Sequence, residues 1–190
     1  ACKCSRRDIR AASEDGNYPG TCAKLQLSFD QKDIAWRVHP PEKELQLPFY
    51  QLVGANTTLG FEGLDAFIVK QKNGYPAYQL SSVIDDEYFN INTIIRGQDL
   101  LDSTHYQMYL SYLMGKSVFL NTYFHHHEMI LDQQGEKLSK SKKATSLLSW
   151  REQGRGPGEL FQKAATMLGL KGTCKDGQML VQMLKEELTI

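Results

Sequence analysis

Ile91-Asn-Thr-Ile-Ile-Arg-Gly-Gln-Asp-Leu-Leu101 decides the fold. The compact apolar run at residues 91–95 reads as a buried parallel strand, and it stops at Arg96-Gly97. Asp99 then suits the N-cap of a helix whose apolar positions, Leu100, Leu101, Met108, Leu110, Tyr112 and Leu113, run towards a stop at Gly115. Ser-Val-Phe-Leu-Asn-Thr-Tyr-Phe at residues 117–124 reads as the next strand. Strand, turn, helix, strand is the grammar of an α/β protein with a parallel sheet and a right-handed crossover. Ligands of such sheets gather at the carboxyl ends of the strands. This places Arg96 and the later loop Gly135-Glu-Lys-Leu-Ser-Lys-Ser141 at one edge.

Outward from that unit, residues 1–24 read as a turn-rich knuckle around a short helix at 6–12. Between residues 35 and 67, short β-type runs alternate with Pro40-Pro41 and Gly/Asn breaks, as in a small antiparallel element. Asn73-Gly74 is a strong hairpin signal, so residues 66–72 and 76–84 are expected to be its two strands, with Tyr78 in the second. Beyond residue 143 the pattern is helical, at 144–151, 157–168 and 177–188, with Pro157 early in its helix and Gly169 as a stop. Three regions are therefore expected: 1–65, a cysteine-bearing and connective region; 66–142, an α/β region; and 143–190, a helical region.

The chain balances 22 basic against 22 acidic residues, so no global charge steers it towards nucleic acid. Lys137, Lys140, Lys142 and Lys143 form its densest basic cluster. No run approaches the ~18 apolar residues of a membrane span, and no apolar segment near Ala1 suits a secretory signal; a cytoplasmic protein without a membrane partner is expected.

Four groups of residues carry chemistry. Lys137, Ser139, Lys140 and Ser141 present point charges and hydroxyl donors at a spacing suited to polyphosphate oxygens, although the same letters also serve a solvated turn. Arg96 offers a planar donor fork for a carboxylate and Tyr78 a hydroxyl, although on the residues alone an internal ion pair and a core aromatic are the favoured reading. Cys2, Cys4 and Cys22 nearly satisfy a tetrahedral zinc, but no histidine or cysteine lies near enough to complete it, the next being His39 and Cys174. His125-His126-His127 does not read as a metal site, because consecutive strand residues point to opposite faces.

In order along the chain come Gly74-Tyr-Pro-Ala-Tyr-Gln-Leu80, Val83-Ile-Asp-Asp86, Arg96-Gly97, Ser103-Thr-His-Tyr-Gln107 and the 135–141 loop. This series resembles the second half of class I aminoacyl-tRNA synthetases of the glutamyl type, from Cys2 to about Leu170. Cys-x-Cys followed by Tyr-x-x-x-Cys resembles, position for position, the glutamyl-queuosine tRNA(Asp) synthetases, shortened members of that family. The resemblance implies the second half of a Rossmann-type catalytic domain, a small zinc-binding insertion and a C-terminal helical segment resembling a stem-contact region. It implies a structural zinc on Cys2, Cys4, Tyr18 and Cys22. It also implies that Tyr78 and Arg96 contact glutamate, with Gln79 and Asp99 beside them. His126, Lys137, Ser139 and Lys140 would bind ATP, with Mg expected, and Lys140 would stabilise the leaving pyrophosphate. The chain departs from the family at Glu128, where proline is usual.

The resemblance starts midway through the family's catalytic domain, and no His-x-Gly-His signature is present. The expectation is a fragment of an ATP-dependent ligase that transfers glutamate to tRNA, its N-terminal half acting as a missing partner. Alone it would be inactive and, with a sheet cut in half, prone to self-association. Ordinary glutamyl-tRNA synthetase is the near alternative, and a non-catalytic zinc-containing RNA- or protein-binding module the distant one. Tyr78-Gln-Leu80, in place of the Tyr-Asn-Phe common in the larger enzyme, favours the queuosine type, as does Arg96-Gly-Gln-Asp-Leu-Leu101.

Overall fold

The computed structural model describes residues 1–129, 131 and 146–188. It divides into two compact units, Ala1–Met129 and Ile130–Ile190. In chain order the first holds α1 (Arg6–Ala12), β1 (Trp36–Val38), β2 (Gln46–Gln51), β3 (Thr57–Gly60), β4 (Phe67–Lys70), α2 (Tyr78–Tyr88), β5 (Thr93–Gly97), α3 (Leu101–Met114), α4 (Ser117–Leu120) and β6 (Tyr123–His127). The second holds α5 (Leu147–Glu152), α6 (Pro157–Met167) and α7 (Gly177–Leu188).

Strands β3-β2-β6-β5 form one mixed sheet, and β1 pairs with β4 in a second, two-stranded sheet. β5 and β6 run parallel in register from Thr93 opposite Tyr123 to Gly97 opposite His127. β2 is parallel to β6 at Tyr50 and Gln51 but antiparallel to β3 from Gln46 to Phe49. Pro48 can sit inside this strand because the β6 ladder begins only after it, so its missing N–H breaks no bond on that side. The sheet thus draws strands from both sides of residue 65.

The core of the first unit is aromatic. Phe49 stacks on Phe124 at 5.4 Å, Phe119 meets Phe124 edge-on at 5.7 Å, and Phe61 tilts against Tyr109. Val83, Met108 and Leu110 close it from α2 and α3. A separate core in the second unit gathers Ala165, Leu170 and Cys174, with Phe161, Leu180, Met183 and Leu184 packed around them.

Four local expectations change. The turn at Asn73-Gly74 forms, with Gly74 at φ 88° and the Gln71 amide donating to the Tyr75 carbonyl, but its second arm is helix α2. Tyr78 therefore opens a helix. Leu80, Val83 and Ile84 recur at helical rather than alternating spacing, and Val83 is fully buried. Residues 117–124 are likewise not one strand: α4 turns Phe119 into the core, and the strand starts at Tyr123 and takes in the histidines. The Thr122 hydroxyl donates to the Ile91 and Val118 carbonyls at 3.0 and 3.1 Å, which locks that turn. The third change is exposure: β5 ends the sheet, and Ile95 is 60% exposed rather than buried. Finally, a 3-10 turn at Gln98–Leu100 precedes α3, whose cap is Leu100 and not Asp99. The stop at Gly115 is as expected, in the left-handed conformation at φ 65°.

Phe119 fills the interior at the α4 turn, whereas Tyr88 is 81% exposed. Phe119→Ala should lower unfolding free energy by about 3–5 kcal/mol, and Tyr88→Ala by no more than about 0.5 kcal/mol, in urea titrations followed by circular dichroism.

Candidate active site

The parallel register sets Arg96 of β5 directly beside His126 of β6, one residue before both strands end. Arg96 is half-buried, and its Nη2 donates to Thr104 Oγ1 at 2.5 Å and to Gln107 Oε1 at 2.8 Å. Both acceptors come from α3, three residues apart and so on one helix face. Burial pushes the Arg96 guanidinium's pKa down, while the nearby Tyr78 hydroxyl and Asp86 carboxylate favour its charge. Asp86 is raised by burial and lowered by Arg96. Tyr78 therefore lies near enough to the Arg96 guanidinium to favour its charge. Tyr78 remains 52% exposed at the start of α2, where a hydroxyl can meet a ligand.

His126 is stacked against Phe124 and Phe49, with ring centroids 6.0 and 6.4 Å away. Its Nε2 lies 2.7 Å from Thr104 Oγ1, which is also 3.2 Å from the Leu100 carbonyl. A hydroxyl has one proton and two lone pairs. The assignment that satisfies all three contacts has Thr104 donating to Leu100 and accepting from Arg96 and from a neutral His126 protonated on Nε2. Burial and the Arg96 charge hold His126 down to about 4, from an ordinary 6.5, which keeps it neutral. It lies inside β6.

Beside this centre, Gln79 donates through Nε2 to Ser103 Oγ at 3.2 Å, and the Asp99 carboxylate folds back over Gly97. Arg96 Nε, Gln107 Nε2 and Gln79 Oε1 are buried here without a hydrogen-bond partner among the described residues. Lys137, Ser139 and Lys140 lie outside the described residues.

The knuckle forms a second centre. The Sγ atoms of Cys2, Cys4 and Cys22 all lie within 4.8 Å of one another, with Cys4 and Cys22 at 3.4 Å. Tetrahedral zinc with Zn–S of about 2.3 Å needs sulfurs roughly 3.8 Å apart, so these thiols fit such an ion. Cys2 is pinned by a two-bond bridge to Ala35, and the Tyr18 amide by the Asp65 carboxylate at 2.6 Å. The Tyr18 hydroxyl accepts from the Cys22 amide at 2.9 Å, which turns its oxygen into the cluster. Crowding sets the acidities. Burial and the neighbouring Cys22 and Cys2 thiols push Cys4 up to about 12. Burial would raise Cys22 too, but hydrogen bonds from the Lys3 amide and from the Cys4 and Cys2 thiols bring it down to about 7. Among the described residues this is the group of thiols, imidazoles and carboxylates placed to hold a metal ion; the three adjacent histidines are not.

Residues 5–185 match the family described as tRNA synthetases class I (E and Q), catalytic domain. The chain belongs to that family, and its homologues are class I aminoacyl-tRNA synthetase ligases. It is 36% identical over 147 residues to a glutamyl-Q tRNA(Asp) synthetase of Pseudomonas aeruginosa (strain LESB58), covering 77% of this chain and 47% of that protein. The corresponding protein of Nocardia farcinica is 30% identical over 176 residues, covering 89% and 55%. A glutamate–tRNA ligase of Syntrophotalea carbinolica is 32% identical over 163 residues, covering 82% and 34%. In fold, the chain resembles throughout its length half of the glutamate-tRNA synthetase of Elizabethkingia anophelis, with a TM-score of 0.64 at 19% identity. It spans about half the length of the curated glutamyl-Q relatives it matches.

Sequence reasoning gave Thr104, Gln107 and Asp86 no role. A signal was present for the first two: Thr104, Gln107 and Ser111 recur at helical spacing among Met108, Tyr109 and Leu110, and all six are buried. Such a stripe needs a polar partner.

His126 carries a pH dependence. The unfolded chain accepts a proton on this imidazole that the folded one resists, so its contribution to stability is complete above about pH 6.5 and is lost as pH falls towards 4. Urea midpoints measured between those limits should decline with acidity, and His126→Gln should flatten the decline.

Proposed function

We propose that this chain forms the carboxyl-proximal half of a ligase that activates glutamate on ATP and transfers it to tRNA, with queuosine of tRNA(Asp) as acceptor. The observation that carries this reading is the pairing of Arg96 and His126 at adjacent strand ends, with the Tyr78 hydroxyl facing the same guanidinium. An acidic amino acid needs a fixed cation and hydrogen-bond donors. Arg96 takes a carboxylate and Tyr78 donates to the substrate. Neutral His126, backed by Phe49 and Phe124, borders the nucleotide. Lys140, assisted by Lys137 and Ser139, stabilises the charge that develops on the departing pyrophosphate, with Mg on the phosphates.

The knuckle supports the queuosine type over the enzyme that charges the tRNA 3′ end, because its three thiols and phenol keep the spacing noted for the former. Cys2, Cys4, Tyr18 and Cys22 would hold one zinc, whose chemistry is structural: four protein ligands leave no position for water. Domain limits at 65/66 and 142/143 separate this connective region, the catalytic half and the helices in the same reading.

Glutamate-dependent ATP–pyrophosphate exchange by the full-length protein, with and without tRNA(Asp), tests the proposal. Exchange is expected, and Lys140→Ala should reduce it about a hundredfold, the usual effect of losing one preorganised donor. Exchange unaffected by Lys140→Ala would remove that assignment, and transfer to the 3′ end of tRNA(Glu) instead of to tRNA(Asp) would move the protein to the larger enzyme's class. Metal analysis should find one zinc per chain, lost in Cys22→Ser together with resistance of the knuckle to thiol reagents. Freely titratable thiols in metal-poor wild-type protein would count against it.

A further inference from the structure

The Arg96 side chain is long and strand-borne, at a sheet edge, and free arginine in such a place samples many rotamers. Two groups remove that freedom. Thr104 and Gln107 are both 0% exposed, both reside on α3, and both accept from the same nitrogen, Nη2, at 2.5 and 2.8 Å. A planar guanidinium gripped at one nitrogen by two acceptors has its plane fixed, and its remaining donors are aimed as a consequence. The grip is made at a cost. Gln107 keeps Nε2 buried with no hydrogen-bond partner among the described residues, an arrangement that an apolar side chain of the same shape would avoid. Thr104 does more: its oxygen also meets His126 Nε2 at 2.7 Å, so one hydroxyl ties the β5 group to the β6 group. Neither residue reaches solvent, and neither can itself touch a substrate.

We propose that Thr104 and Gln107 are positioning residues for the amino acid substrate, holding the Arg96 guanidinium in the plane that receives a carboxylate. This rests on the reading of Arg96 as the carboxylate receptor given above. Thr104 additionally sets the Arg96 plane relative to the His126 ring, so the amino acid and nucleotide sides share one anchor. Gln107 acts on the amino acid side alone.

Steady-state exchange by the full-length protein separates this from a merely structural role. Gln107→Met and Thr104→Val keep shape and remove the acceptors. Each should raise the glutamate KM about tenfold or more, and Gln107→Met should leave the ATP KM within about twofold. Thr104→Ser, which keeps the hydroxyl, should restore a near wild-type glutamate KM. In an Arg96→Lys background, Gln107→Met should have little further effect, because the partner it acts through is gone. Unchanged glutamate KM in Gln107→Met, equal losses for glutamate and ATP that track a lower thermal midpoint, or full additivity with Arg96→Lys would each overturn the proposal. Wild-type protein without glutamate-dependent exchange would overturn the functional reading and this one together, whereas active wild type with insensitive variants would overturn this one only.

Discussion

A guanidinium drawn half out of water at the end of an edge strand is the constraint around which the first unit is organised. Taking a charge out of water costs several kcal/mol unless hydrogen bonds replace the lost hydration. Here β5 supplies the arginine, α3 supplies the two buried acceptors, β6 supplies the histidine that shares one of them, and α2 supplies Tyr78 and Asp86. Each of these elements has a packing role of its own, yet their polar residues all converge on one group. The aromatic layer of Phe49, Phe119 and Phe124 lies directly beneath, with the Arg96 Cζ 5.6 Å from the Phe124 ring centre. Low local polarity there strengthens every electrostatic contact the guanidinium makes.

The same environment explains why His126 is neutral. It shares a strand face with Phe124, stacks against the Phe124 and Phe49 rings, and stands next to a fixed positive charge. An uncharged ring with one nitrogen committed to Thr104 offers a ligand its flat face and its second nitrogen. That suits a heterocycle better than an anion. Arg96 and His126 are adjacent in register yet chemically opposite, one a permanent cation and the other a neutral aromatic.

Much of this was legible in the chain, and the failures have physical causes. Residues 91–97 followed by a helix to Gly115 announced a parallel unit because apolar runs, glycine stops and helical periodicity are local signals. The two strands expected at 76–84 and 117–124 became α2 and α4 because tertiary burial of Val83 and Phe119 overrode short β-type stretches. The register that sets His126 beside Arg96 is a tertiary fact, which no local rule could supply. Arg96, Tyr78 and the Cys2, Cys4, Cys22 trio were legible as residue types at meaningful spacing, and they do converge. Thr104 and Gln107 were not, because their role depends on which strand α3 covers. Within the knuckle the phenol of Tyr18 became readable only by resemblance; its hydrogen bond from the Cys22 amide shows how a tyrosine oxygen comes to face three thiols.

A crystal structure of the full-length protein bound to a non-hydrolysable glutamyl-adenylate analogue tests the central claim most directly. The account predicts a ligand carboxylate within hydrogen-bond distance of the Arg96 guanidinium, the adenine against the His126 edge of β6, and the Nη2 contacts to Thr104 and Gln107 retained. An analogue bound elsewhere, with Arg96 turned inward to an internal carboxylate and no ligand atom near it, would contradict it.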